Sequence, residues 1–101
     1  METRDVTMSC MTVTASVGFT EANQPAEIFL TGAKDGSGLA AILDDASVVI
    51  SVALQHGIRA AALAKSIARI PENLDGPAIK PASPIGAALD LIADYEAQQN
   101  G

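Results

Sequence analysis

From Met11 to Phe19 the apolar residues Met11, Val13, Ala15, Val17 and Phe19 alternate with Thr12, Thr14, Ser16 and Gly18. That is the period of two expected of a strand with one buried face. The turn formers Asn23 and Pro25 end it, and "EIFLT" over residues 27–31 reads as a second strand. A loop this short between two strands predicts an antiparallel hairpin. The eight residues before it, "METRDVTM", are charged and aperiodic. They are expected to form a loose tail.

The period then changes. After the loop "GAKDGSG", Leu39, Ile42, Leu43, Ala46, Val49, Ile50, Ala53 and Leu54 recur at helical spacing, which predicts a helix over about 38–56. Ser37 or Asp35 is suited to cap its start. Gly57 suits the left-handed position just past its end, beside His56. "IRAAALAKSIARI" predicts a shorter helix with Leu63, Ile67 and Ile70 on one face, stopped by Pro71. "PENLDGPAIKPASP" holds four of the five prolines and is expected to be an extended connection. Ser83 followed by Pro84 reads as a cap and first residue of a third helix, 83–97, carrying Ile85, Leu89, Leu91, Ile92 and Tyr95.

The sum is an α+β domain, a two-stranded antiparallel hairpin packed on three helices. A hairpin buries little alone, so the helices must cover one of its faces. Its other face is polar but uncharged and its edges are bare. The hairpin is therefore expected to pair with a copy of itself or with a partner sheet.

Composition narrows the function. The chain has 101 residues, a net charge of −6 and six Lys and Arg residues, scattered along it. That is no basic stripe for nucleic acid or for an anionic membrane surface. No apolar run approaching the ~18 residues of a membrane span is evident, nor is a signal peptide, and a cytoplasmic location is expected. One cysteine, Cys10, provides neither an internal disulfide nor a thiolate cluster.

Candidate chemistry centres on the loop of Gly32, Lys34, Gly36 and Ser37. A P-loop needs a Gly-Lys-Ser/Thr string at the helix start, and a dinucleotide loop needs Gly-x-Gly-x-x-Gly within a βαβ unit. Neither is present. The helix start can still offer free N–H groups to an anion, with Lys34, Gly36 and Ser37 as contacts. The same residues also serve as a plain turn with Ser37 as a cap. Asp44 and Asp45, as neighbours on a helix, diverge by about 100° and make no carboxylate pair. His56 is the only histidine and Cys10 the only cysteine, so no metal set forms. Gly32, Gly57, Ser83 and Pro84 are expected to be structural.

Several ordered pieces resemble one known family. "MTVTASV", Glu27-Ile28-Phe29, the Gly32–Ser37 loop, Ile50-Ser51-Val52-Ala53-Leu54, Gly57 and "AALAKSIARI" together look like the TSCPD domain, over about residues 11–70. "SPIGAALDLIADYE" is similar to the tail of its short members. The family is known mainly as a C-terminal region of adenosylcobalamin-dependent ribonucleotide reductases, and also as small stand-alone bacterial proteins. The resemblance implies one domain over 1–101, with a core at 11–70 and a C-terminal helix at 83–97. It also implies a link to deoxyribonucleotide synthesis. Thiyl-radical reduction needs several cysteines in a large barrel, which this chain lacks. The expected function is thus a stand-alone accessory or regulatory module, not catalytic alone and binding no cofactor itself, with adenosylcobalamin entering only through the family. Its expected partners are a copy of itself through the hairpin and a reductase subunit. Alternatives are a component of a ribonucleoside-diphosphate reductase whose catalytic chain is separate, or an anion- or nucleotide-binding regulator.

Overall fold

The computed structural model describes residues 2–8, 11–32, 37–71, 73–77 and 80–100, with side chains for 13–32, 37–71, 73–77 and 80–98. Three strands, β1 (Glu2–Met8), β2 (Met11–Phe19) and β3 (Pro25–Thr31), form an antiparallel sheet in the order β1-β2-β3. Then come α1 (Gly38–Gln55), α2 (Ala60–Ala64), a two-residue pair β4 (Arg69–Ile70) and β5 (Lys80–Pro81), and α3 (Pro84–Asn100). The class is α+β, as the sequence predicts, and the expected hairpin is β2–β3.

The segment expected to be a tail is instead β1. It pairs with β2 along its whole length, Glu2 opposite Val17 through Met8 opposite Met11. Its charged residues are what hide the strand in the sequence. The turn from β2 to β3 is closed by Thr20 and Asn23. Asn23 adopts φ 62°, the Thr20 carbonyl accepts from its N–H at 2.9 Å, and the Thr20 N–H donates to the Gln24 carbonyl at 2.8 Å. Asparagine tolerates that left-handed backbone.

The core lies on one face of the sheet. Val13, Ala15 and Val17 from β2 and Ile28 and Leu30 from β3 bury against Leu43, Ile50 and Leu54 of α1 and Ala88, Leu89, Ile92 and Tyr95 of α3. Phe19 meets Tyr95 edge-to-face with ring centroids 5.3 Å apart, a favoured aromatic geometry.

The predicted apolar stripe of the first helix is only partly core. Leu43, Ile50 and Leu54 are buried, but Ile42 and Val49 are 57% and 67% exposed. The apolar arc of α1 is wider than the part that one sheet face can cover. By length and composition α1 is also a candidate membrane span, which the sequence reading did not see. Here it lies along β3 instead.

The second predicted helix stops early. Its sequence favours helix through Ile70, but α2 ends at Ala64 and Arg69–Ile70 pairs antiparallel with Lys80–Pro81. The Ala82 N–H donates to the Ala68 carbonyl at 3.0 Å and extends that hairpin. The proline-rich connection therefore folds back on the chain rather than running extended. The third helix starts where predicted and continues three residues past 97.

Candidate functional site

Three of the loop residues proposed for anion or partner contact can be placed only in part. Lys34 and Gly36 lie outside the described residues. Gly32 has φ 135°, a backbone that L side chains rarely adopt. Ser37 is the N-cap of α1, and its Oγ accepts from the Ala40 N–H at 3.1 Å. That bond satisfies one of the helix's orphan donors.

The other end of α1 is closed by backbone. The Gly57 N–H donates to the Leu54 carbonyl and the Ile58 N–H to the Ala53 carbonyl, at 3.1 and 3.0 Å. This is the paired Schellman pattern, with Gly57 at φ 84°. His56 is exposed, its Nδ1 2.9 Å from the Val52 carbonyl. Ser83 caps α3, its Oγ accepting from the Gly86 N–H at 3.1 Å, with Pro84 as the first helical residue. Asp44 and Asp45 are both exposed. Among the described residues no three His, Cys, Asp or Glu side chains cluster as a metal site. Cys10 lies outside them.

The sequence reading missed a polar seam. Ser47, Ser51 and Gln55 recur every four residues along α1 and meet the outer edge of β3. The Ser47 Oγ accepts from the Leu30 N–H at 3.1 Å and donates to the Leu43 carbonyl at 2.7 Å. The Ser51 Oγ accepts from the Ile28 N–H at 2.9 Å and lies 3.3 Å from the Ile28 carbonyl. The Gln55 Nε2 donates to the Ala26 carbonyl at 3.3 Å. Side chains thus stand in for a fourth strand. The sequence signal was two serines four apart in an apolar helix, where serine is a poor interior choice. Both edges of the predicted hairpin are therefore taken within the chain, β2's by β1 and β3's by this seam. The bare edges from which hairpin-mediated pairing was expected are not found.

Beside the seam is a groove of about 390 Å³, walled by Phe29 and Thr31 of β3 and by Asp44, Val48 and Val52 of α1. On the other side of α1 an apolar cleft of about 310 Å³ lies between Ala46, Val49 and Ala53, Leu63 and Ile67, and Ile85 and Leu89. The ridge between them is the exposed face of α1. Neither depression collects charged side chains beyond Glu27 and Asp44. They offer apolar contact rather than acid–base chemistry.

Two polar contacts fix the rest of the helical layer. The N-cap of α2, Arg59, makes no side-chain capping bond. The buried Glu96 of α3 takes that role, its Oε2 accepting from the Ala60 N–H at 2.9 Å and its Oε1 from the Ala61 N–H at 3.3 Å. Arg69 of β4 donates to both Asp90 oxygens at 2.8 and 2.9 Å, and also to the Ala64 carbonyl. The guanidinium hydrogen bond holds the Asp90 carboxyl below its ordinary value, partly offset by desolvation. A depressed carboxyl contributes stability that is fully present above its unfolded pKa of about 3.9 and is lost as pH falls through the lower folded value. The side chains are 25% and 38% exposed, so solvent keeps this contribution small. The expected result is that Asp90→Asn removes a small part of the loss of stability seen on acidification below about pH 4, read by thermal melts along a pH series.

Comparison with known families adds the wider frame. The TSCPD domain family matches residues 1–94. No curated protein and no solved structure matches the chain. The match includes β1, which the resemblance alone left out, and runs into α3. With all but its last seven residues matched, this chain belongs to the TSCPD domain family.

Proposed function

We propose that this chain is an accessory or regulatory module, related to adenosylcobalamin-dependent ribonucleotide reductases and without reductase chemistry of its own. The observation that carries this reading is a TSCPD domain match over residues 1–94 in a chain with a single cysteine. Radical reduction of a nucleotide draws on several thiols, so this reading places the chemistry outside this domain. What the surface offers instead is an apolar helix face, which suits a module that acts by contact.

The test is a tagged pull-down of the full chain from its native host, followed by nucleotide reduction assays with the retained reductase. The expected result is a catalytic chain retained in stoichiometric amount, with a rate that changes when this chain is added back. Retention of no reductase chain, together with no effect on the rate, overturns the reading and leaves the reductase link as one of descent.

A further inference from the structure

The outer face of α1 is apolar where a surface helix is ordinarily polar. Ile42, Val48, Val49 and Val52 are all about half exposed or more, and Val48 and Val49 reach 61% and 67%. An apolar stripe on a helix is normally buried against another element. This one is covered by the sheet on one side only. From Ile42 to Val52 the face runs about 15 Å along the helix, two to three turns against which a second helix can pack.

We propose that this face is the centre of a two-fold symmetric dimer, in which α1 packs antiparallel against α1 of a second copy. The charge pattern selects that occupant. Asp45 and His56 are eleven residues apart, which returns to within about 20° of one line along the helix. A two-fold axis midway between them, at Ile50–Ser51, sets each Asp45 opposite the second copy's His56. The same register sets each Val49 opposite the second copy's Val52. It also brings Ile42 toward the second copy's turn at Ile58 and Arg59. One register thus joins apolar to apolar and acid to base, which is what an isologous interface demands. Antiparallel helix dipoles favour it too. A lipid surface is the poorer occupant, because α1 carries two aspartates and no lysine or arginine. The proposal stands apart from the reductase reading and relocates self-association from the hairpin to the helix layer.

The test is sedimentation velocity on the purified full chain over a rising concentration series. The expected result is a reversible monomer–dimer equilibrium. Val49→Asp then raises the dimer Kd at least about tenfold, by placing a charge in an apolar contact. Asp45→Lys weakens it similarly, and the double variant Asp45→Lys/His56→Asp recovers much of the loss. A melting midpoint that rises with concentration in the wild type, but not in Val49→Asp, accompanies this. Val49 is mostly exposed in the monomer, so at high dilution the two proteins should melt alike. A monomer at every concentration overturns the proposal. So does a dimer indifferent to Val49→Asp, which places the contact elsewhere, or a monomer that uses this face only for another protein. A double variant no better than Asp45→Lys overturns the antiparallel register.

Discussion

Replacing Leu43 by alanine is expected to destabilise the domain by about 2–5 kcal/mol, the range for removing a buried leucine and leaving a cavity. Leu43 is 1% exposed and belongs to the cluster that joins α1 to the sheet. The cost falls in the upper part of that range if the neighbouring Ile28 and Leu30 are held too firmly by the seam for the cavity to collapse. Val48, five residues further on the same helix, is the contrast. It is 61% exposed, and Val48→Ala should change the stability of the dilute protein by no more than about 0.5 kcal/mol. Urea unfolding at low protein concentration reads both. Equal losses in the two variants would mean that α1 docks with a different face.

The second large effect is expected at Glu96. Glu96→Ala removes the acceptor for two N–H groups at the start of α2, in a residue only 6% exposed. An unsatisfied buried donor costs about 1–3 kcal/mol, and hydrogen bonds to a charged group lie toward the upper end. Glu96→Gln keeps the shape but supplies one carbonyl oxygen for two donors, and it turns an NH2 group toward a donor. Its loss should fall between wild type and alanine. Hydrogen exchange at Ala60 and Ala61 gives the local readout, and both amides should lose protection in the alanine variant before the sheet does. If Ala60 and Ala61 stay protected, the carboxylate is not their acceptor.

The sequence was most informative where one local rule acted alone. The alternation from Met11 to Phe19 fixed both the strand and its buried face, because adjacent strand residues point to opposite sides. The bounds of α1 followed from its period, with Ser37 and Gly57 at its ends, because caps answer to the backbone of their own turn. The same holds for Ser83 and Pro84. Where two rules competed, the reading failed. Charges on residues 2–8 read as a solvated tail, although the segment pairs with β2 as a strand. "IRAAALAKSIARI" favours helix throughout, yet Arg69 and Ile70 pair with Lys80 and Pro81 instead. The ion pair from Arg69 to Asp90 of α3 holds that hairpin to the helical layer.

The candidate site divides in the same way. Its loop was visible because glycine, lysine and serine crowd into seven residues, but Ser37 proves to spend its oxygen on the helix. The seam of Ser47, Ser51 and Gln55 was not visible. Its partners lie in β3, 17 to 29 residues away, and no local rule says which strand edge a serine will find. Glu96 is a similar case, reaching 36 residues back to Ala60.

By itself, then, the sequence determined the α+β class, the hairpin, the long helix and its caps, and a family resemblance. Each of these depends on the period and local chemistry of neighbouring residues. The tertiary structure alone decided that β1 completes the sheet, that serines close the edge of β3, and that the apolar arc of α1 is buried on one side only. Those outcomes depend on which surfaces meet, and the width of a helix's apolar face does not reveal how much of it another element will cover.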